Sequence, residues 1–473
     1  MGERSRRELV LGKYYALFVP MSATKSDDPQ AAFLEEACVP LDRGHASGTL
    51  ERAREILAAH PEIANSNIHA AAVLGDDSAV RRFLERDRAD ATAKGGPRGW
   101  DALTHLCFSR FLRLDGSRSG GFVRAAEALL DAGASANTGW HETTHQPRPE
   151  WESALYGAAG VAHHAELTRL LLERGADAND GEVTYHAPET YDNAAMRILV
   201  ESGKLTDDSL AILLLRKADW HDLEGIRFLL ERGADPNRMT LWGYTGLHQS
   251  VRRDNGLDRI ELMLDQGADP ALPSRSDGRS AVAMAARRGR GDVLEALERR
   301  GVSVSLSGVE RLLAACARND GEAIRSIAKD EPAIVAEAVA EGGRFLAEFA
   351  GNGNTDGVRN LLDLGVNVAA ESAEGDGYFE IAKHSTALHS AAWRAHPATV
   401  RLLLERGAPV DAKDGAGRTP LLLAVRACVD SYWVYRRSPD TVAALLEAGA
   451  SASGIPYPSG YAEVDALLRS RRG

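Results

Sequence analysis

Residues 229–237 read Leu-Leu-Glu-Arg-Gly-Ala-Asp-Pro-Asn, and close copies of this phrase return along the chain. Residues 402–409 read Leu-Leu-Leu-Glu-Arg-Gly-Ala-Pro, and residues 445–450 read Leu-Leu-Glu-Ala-Gly-Ala. A leucine-rich run is thus followed each time by a glycine, which can adopt the left-handed conformation that ends a helix. The phrase therefore predicts a recurring helix that stops at a sharp turn. Further copies lie at 129–134, 170–177 and 263–270, and weaker ones end at Gly203, Gly301 and Gly365.

A second phrase comes before the leucine-rich run. It reads Thr-Ala-Leu-His-Ser-Ala-Ala at 386–392 and Thr-Gly-Leu-His at 245–248. The threonine predicts the N-cap of a first, short helix, and the paired alanines favour close helix–helix approach. The glycine of the first phrase recurs after 34 residues from Gly233 to Gly267 and after 42 residues from Gly365 to Gly407. A period of about 33 residues with insertions explains this spacing.

The coupled phrases resemble the ankyrin repeat, in the multi-repeat, bacterial-type form with inserted loops, from about residue 30 to 465. The resemblance implies an all-α fold: an ankyrin-like α-solenoid of about twelve helix-turn-helix repeats, with β-turn or hairpin fingers and four longer insertions. One unit cannot bury its apolar face alone, so the units must stack. We predict a tail at 1–27, a first half of the array at 28–305, and a second half with a C-terminal cap at 306–473. One continuous solenoid is favoured over two stacked halves.

The composition narrows the function classes. The chain has 473 residues, with 56 Lys and Arg against 68 Asp and Glu, and this net charge of −12 argues against a surface built mainly for nucleic acid. The four cysteines are too far apart for a metal or redox motif and suggest a reducing compartment. No apolar run is long enough to cross a bilayer. We expect a cytoplasmic protein with no cofactor, no nucleic-acid partner and no membrane partner.

A row of basic residues falls near the ends of the first helices. The resemblance implies that these helices and the fingers line a concave groove that binds a partner protein. Regular stacking would place the guanidinium groups along this groove, where they would attract an acidic protein segment. The alternative is that these cations only complement the helix dipoles. The row consists of Arg110, Arg216, Lys217, Arg252, Arg253, Arg287, Arg288, Arg318, Arg394 and Arg426.

The insertions and the shortened repeat are rich in aromatic and titratable residues. Long loops on a rigid scaffold often build a binding site, although aromatic side chains also serve to hold such loops in place. The candidates for partner binding are Trp140, Tyr185, Trp220, Trp242, Tyr378, Trp393, Tyr432 and Trp433, together with Arg110, Arg216, Lys217, Arg252 and Arg287.

A second hypothesis is a pocket for a small anionic or sugar-like ligand, with or without catalysis. Its candidate acid and base groups are Glu142, His145, His186, Glu189 and His221, and Arg110, Arg216 and Lys217 would hold the anion. This reading leaves open whether the chain is an enzyme, and the absence of a phosphate-binding loop or nucleophile elbow argues against one. Binding of a partner protein without catalysis remains the favoured function.

Residues 141–145, His-Glu-Thr-Thr-His, match the pattern of zinc peptidases. That chemistry needs a helix, so that both histidines face one metal ion and the glutamate acts as the base. The flanking Asn-Thr-Gly and Gln-Pro-Arg-Pro oppose a helix. A metal site at His141 and His145 is therefore a minor alternative, and the match is interpreted as coincidental.

Overall fold

The computed structural model describes residues 28–41, 44–143, 149–302, 305–431 and 436–470. These residues divide into two compact units, which we call the N-terminal unit (28–241) and the C-terminal unit (242–470). The boundary predicted near residue 305 lies inside the C-terminal unit. That boundary, the single continuous solenoid and the separate tail at 1–27, which lies outside the described residues, all stay predictions.

Each unit consists of short paired helices, which confirms the predicted all-α class. First helices pack against first helices of neighbouring repeats, and second helices pack against second helices. The helices of the N-terminal unit are α1 (Pro29–Ala37), α2 (Glu51–Ala59), α3 (Ile68–Val73), α4 (Asp77–Arg86), α5 (Ala102–Cys107), α6 (Arg110–Leu114), α7 (Ser119–Ala132), α8 (Ala154–Tyr156), α9 (Ala165–Glu173), α10 (Gly181–His186), α11 (Ala194–Glu201), α12 (Asp207–Asp219) and α13 (Leu223–Glu231).

The C-terminal unit continues the same pattern. Its helices are α14 (Gly246–Arg252), α15 (Leu257–Asp265), α16 (Ala281–Arg287), α17 (Gly291–Arg299), α18 (Gly308–Ala317), α19 (Gly321–Asp330), α20 (Pro332–Ala340), α21 (Gly342–Gly351), α22 (Thr355–Asp363), α23 (Ala387–Trp393), α24 (Pro397–Glu405), α25 (Pro420–Val429), α26 (Asp440–Glu447) and α27 (Ala462–Arg469).

The recurring polar residues cap the helices as the sequence predicts. The Thr245 hydroxyl accepts the His248 backbone N–H at 3.3 Å, and the His248 Nδ1 accepts the Thr245 N–H at 3.3 Å. The other ring nitrogen of His248 donates to the Leu272 carbonyl at 2.9 Å, which ties α14 to the following finger. After the second helix, Gly233 has φ +91°, in the left-handed region that a side chain would strain. The recurring Thr, His and Gly residues thus have structural roles.

Two insertions form β-hairpin fingers. In the first, β1 (Gly139–Glu142) pairs antiparallel with β2 (Glu150–Ser153), and Trp140 lies opposite Glu152. In the second, β3 (Glu371–Ser372) pairs with β4 (Ser385–Thr386). Because side chains alternate across a strand, the first finger places Trp140, Glu142, Glu150 and Glu152 on one face.

One repeat departs from the pattern where its sequence lacks Gly-Ala. After α19 the chain does not turn into a finger but starts the additional helix α20 at Pro332. Proline is favoured in the first turn of a helix, and no glycine is present there to make the left-handed turn. A similar arrangement occurs near residue 60, where α2 is followed by a short 3₁₀ segment that begins at a proline, Pro61–Asn65.

Apolar side chains fill the space between the helix layers, and the four cysteines are buried free thiols. Burial raises the pKa of the Cys38 thiol to about 11 and that of Cys316 to about 12. Among the described helices, none combines the length and the apolar character needed to cross a bilayer. The cytoplasmic location stays a prediction.

Candidate functional site

A groove opens in the C-terminal unit between the ends of first helices and the second finger. We call it the C-terminal groove, and it encloses about 500 Å³. The first helices contribute the basic residues, and both α21 and the finger contribute acidic ones. The basic lining residues are Arg252, Arg253, Arg288, Arg344 and Arg394, and the acidic ones are Glu341, Glu348, Glu371, Glu374 and Asp376.

Asp254 holds two of the arginines that line the C-terminal groove. Its carboxylate accepts two hydrogen bonds from Arg288, at 2.8 Å and 2.6 Å, and one from Arg394 at 2.8 Å. Arg288 also pairs with Glu348 at 3.0 Å. Burial alone would raise the pKa of Asp254, but the two guanidinium groups outweigh it and hold the pKa well below its usual range. These arginines are therefore committed to an internal ion cluster.

Aromatic rings stack against three of the arginines that line the groove. The Arg252 guanidinium lies 4.0 Å from the ring centroid of Tyr244, and that of Arg253 lies 3.8 Å from the centroid of Tyr378. Below them, Arg394 lies 4.5 Å from the centroid of Phe379. Stacking of this kind holds a planar cation in one orientation, and Arg252 also donates to the Gln249 Oε1 at 2.8 Å. These arginines are thus held in fixed positions.

Three polar groups in the groove have no side-chain partner among the described residues. Arg344 and Glu374 are exposed on opposite sides, and neither side chain makes a hydrogen bond or ion pair there. The Ser390 hydroxyl is buried and makes no hydrogen bond. A buried polar group without a partner costs free energy unless a ligand or water supplies one. These groups are what an occupant of the groove could contact.

A second polar cluster lies in the N-terminal unit and brings together three of the residues predicted to hold a small ligand. His186 pairs through Nδ1 with Glu189 at 2.9 Å and through Nε2 with Glu182 at 3.2 Å. Glu189 in turn pairs with Arg216, which also pairs with Asp219. Burial would lower the pKa of His186, but Glu189 and Glu182 outweigh it and raise the pKa to about 9. The imidazole is a cation at neutral pH.

The first finger adds carboxylates beside this cluster. Glu142 is buried, with its Oε2 3.7 Å from the His45 Nε2, and the His45 Nδ1 hydrogen-bonds the Tyr156 hydroxyl at 2.9 Å. Glu152 is 1% exposed, and burial, reinforced by the charge of Glu182, raises its pKa to about 8. Whether this cluster binds a small ligand or acts as an acid and base stays a prediction.

Several predicted binding residues have structural roles. Arg110 is buried and donates to the Glu36 carbonyl at 2.9 Å, and Lys217 is fully buried, with its ammonium 2.9 Å from Asp222. Arg287 pairs with Glu310 and Glu341. A further role of these residues in binding stays a prediction.

The aromatic candidates differ in their exposure to solvent. Trp140 packs 5.1 Å from Trp100, and the Trp393 indole donates to the Phe379 carbonyl at 2.6 Å. Trp220 is also buried, whereas Trp242 is 38% exposed. The buried rings pack inside their own units, and whether any of these candidates meets a partner stays a prediction. Tyr185 lies under the Arg216 guanidinium at 3.9 Å, and His221 is buried at the end of α12 with a left-handed backbone.

The HExxH match falls on the first finger. His141 and Glu142 occupy neighbouring positions of β1, so their side chains point to opposite faces, and His141 packs against Trp151. His145, Tyr432 and Trp433 lie outside the described residues. A metal site at His141 and His145 stays a prediction, with no helix at His141 to support it.

Sequence reasoning missed several residues of both clusters. Asp254 carries no motif and meets Arg394 across 140 positions of sequence. Ser390 stands inside the Thr-Ala-Leu-His-Ser-Ala-Ala phrase, whereas Arg344 lies in a repeat without that phrase. Glu182 and His186 lie four residues apart, which is one helical turn. This spacing is the feature from which the sequence could have predicted a side-chain pair.

A family model agrees with the repeat pattern over part of the C-terminal unit. The family model described as ankyrin repeats (3 copies) matches residues 312–414 and 346–453. The ankyrin repeat domain of human ASB11 is 19% identical, with 55% of this chain and 97% of that chain covered and a TM-score of 0.25. The ankyrin repeat domain of Bcl-3, an IkappaB family member, is 22% identical, with 49% and 97% covered and a TM-score of 0.23. No curated protein matches the chain.

Proposed function

We propose, on the premise that this chain is an ankyrin-repeat protein, that its C-terminal groove binds an extended segment of a partner protein. Repeats of this family are protein–protein interaction modules, and stacked repeats present an extended concave surface. The segment is acidic in part, because Arg252, Arg253 and Arg344 line the groove. These three arginines are the observation that carries the proposal.

The chemistry of the groove restricts the bound segment further. A carboxylate of the partner would meet Arg344 with little reorganisation, and charge-assisted hydrogen bonds to arginine are strong. The Ser390 hydroxyl would form a hydrogen bond with a polar group of the segment. This bond would satisfy a hydroxyl that has no partner in the free protein. Glu374 on the finger disfavours a uniformly acidic segment, since like charges repel. A segment with acidic residues on one side and a polar or basic residue on the other fits both walls.

The proposal is tested with a phage library of random peptides selected against the full chain. We expect the selected peptides to be enriched in Asp and Glu and to bind less tightly as salt is raised. Arg344→Glu should weaken a selected peptide at least about tenfold, because it replaces an attraction with a repulsion. The matched control is Arg401→Glu, which changes an exposed arginine of α24 outside the groove lining.

Fluorescence polarisation with labelled peptides gives the affinities at low and high salt. Selected peptides without acidic enrichment would contradict the proposal. So would peptides that bind the Arg344→Glu and Arg401→Glu variants with equal affinity.

A further inference from the structure

Three carboxylates of the N-terminal unit converge where the first finger meets α10. Glu150 and Glu152 project from β2, and Glu182 lies in the first turn of α10, which packs against β2. One oxygen from each of these residues lies within 4.8 Å of the other two. We call this group the carboxylate triad. None of its members belongs to the C-terminal groove.

The spacing of the carboxylate triad matches the oxygen shell of one large divalent cation. Around Ca²⁺, with oxygens at about 2.4 Å, two ligand oxygens are about 3.4 Å apart when adjacent and about 4.8 Å apart when opposite. The smaller Mg²⁺, at about 2.1 Å, needs a tighter shell of at most about 4.2 Å across. Three oxygens within 4.8 Å of one another can all lie in the shell of one Ca²⁺ ion. Ca²⁺ also tolerates an irregular oxygen shell, whereas Mg²⁺ demands a near-ideal octahedron and keeps several of its waters.

A second observation concerns the buried member of the triad. Glu152 is 1% exposed, and its Oε2 has no hydrogen-bond partner among the described residues. The Trp140 indole N–H, on the same face and directly opposite in the register, is also buried without a partner. A buried carboxylate oxygen with an empty coordination position is unfavourable unless a ligand occupies it. The triad thus includes a buried carboxyl group whose hydrogen bonding is incomplete.

The surroundings carry charges of both signs. Glu142 lies opposite Glu150 on the same face of the finger, and His186 pairs with Glu182 at 3.2 Å. Glu150 is exposed and Glu182 is partly exposed, so an ion can reach the triad from solvent. Carboxylate oxygens are the ligands that hard divalent cations prefer, whereas zinc and copper favour nitrogen and sulfur.

We propose that Glu150, Glu152 and Glu182 bind one hard divalent cation of the size of Ca²⁺. The ion bridges the first finger and α10, the first helix of the following repeat. It would supply the missing partner of Glu152. The site is independent of partner binding in the C-terminal groove.

The test is isothermal titration of the full chain, freed of metal by EDTA and dialysed, with CaCl₂ and separately with MgCl₂. We expect one Ca²⁺ per chain with a Kd of about 10⁻⁴ to 10⁻³ M, as for sites with few protein ligands, and weaker Mg²⁺ binding. Ca²⁺ should also raise Tm in a concentration-dependent way, because it binds the folded state. Glu152→Gln and Glu182→Gln should each weaken Ca²⁺ at least about tenfold.

The matched control is Glu173→Gln, which changes an exposed carboxylate of α9 outside the triad and should bind Ca²⁺ like the unchanged protein. Far-UV circular dichroism confirms that each variant is folded, and the glutamine variants keep the shape of the side chain. Absence of saturable Ca²⁺ binding up to about 10 mM would overturn the proposal. So would equal Ca²⁺ affinity in all three variants, or tighter binding of Mg²⁺ than of Ca²⁺.

Discussion

His105 is a buried residue that makes the free energy of unfolding depend on pH. Its ring is 1% exposed, its Nδ1 donates to the Asp101 carbonyl at 2.9 Å, and it packs against Trp100. Burial lowers the pKa of His105 to about 3, and nearby Arg98 and His69 add to the effect. The ring is therefore neutral in the folded protein at pH values where it would be protonated in the unfolded chain.

We predict that His105→Phe makes the stability less sensitive to acid. Below about pH 6.5 the unfolded chain binds a proton at this histidine and the folded protein does not, so the free energy of unfolding falls as the pH falls towards 3. One such group contributes up to about 1.4 kcal/mol per pH unit. Urea denaturation at pH 7, 6, 5 and 4 measures the slope for both proteins.

The difference in unfolding free energy between His105→Phe and the unchanged protein should be constant above pH 7, where both states carry a neutral ring. Below pH 6 the difference should shrink or reverse as the unchanged protein loses stability. Parallel curves over the whole range would show that His105 does not titrate as argued.

Ser390 offers a test that separates binding from folding. We predict that Ser390→Ala raises the free energy of unfolding by about 1 kcal/mol, because it removes a buried hydroxyl without a partner from the middle of α23. The same change should weaken a groove-binding peptide by about three- to tenfold, since the peptide loses a hydrogen bond.

The matched control is Ser431→Ala. Ser431 is also buried in the C-terminal unit, but its hydroxyl donates to the Ala427 carbonyl at 2.8 Å. This variant should lose about 1 kcal/mol of stability. Urea denaturation and peptide titration of both variants give the comparison. A Ser390→Ala protein that is less stable yet binds peptide normally would contradict the assigned role.

At the scale of elements, Asp254 joins the ends of three first helices. It follows α14, Arg288 follows α16, and Arg394 follows α23. We predict that Asp254→Asn lowers the free energy of unfolding by about 3–5 kcal/mol, because two buried guanidinium groups lose their counter-charge. Asparagine tolerates the left-handed backbone at this position, φ +52°, so the loss reports the charge.

Chemical denaturation measures this loss, and Asp265→Asn is the control. Asp265 also pairs with an arginine, Arg300 at 2.5 Å, but its side chain is 59% exposed, so less than about 1 kcal/mol should be lost. If Arg394→Met is combined with Asp254→Asn, part of the stability should return, since one unpaired charge is removed. Equal losses in the two aspartate variants would contradict the role of burial.

The elements differ in how far the sequence could predict them. Thr245 and Gly233 act locally, through a cap and a left-handed turn, and so their structures follow from neighbouring residues. The ion cluster at Asp254 and the carboxylate triad depend instead on which repeats meet, and insertions shift that register. Trp140 is a further example. It packs against Trp100, and the sequence alone cannot distinguish a ring with such an internal contact from one that binds a partner.

At the scale of the whole molecule, the repeats make stability a local property. In stacked repeats each unit contacts mainly its neighbours, so stability approximates a sum of unit and interface contributions. Long arrays of this kind need not unfold in a single cooperative transition. The described residues also divide into two compact units at Leu241 and Trp242.

We therefore predict that Asp254→Asn increases amide hydrogen exchange in a graded way along the chain. Exchange should rise most in peptides that contain α14, α16 and α23, whose ends Asp254 joins, and least in α3 and α5, which belong to the N-terminal unit. Hydrogen-exchange mass spectrometry of the full chain measures this. The reciprocal change, Phe122→Ala in the core of the N-terminal unit, should give the opposite gradient. A uniform rise across all peptides in either variant would instead mean that the chain opens as one cooperative unit, and the local description of its stability would fail.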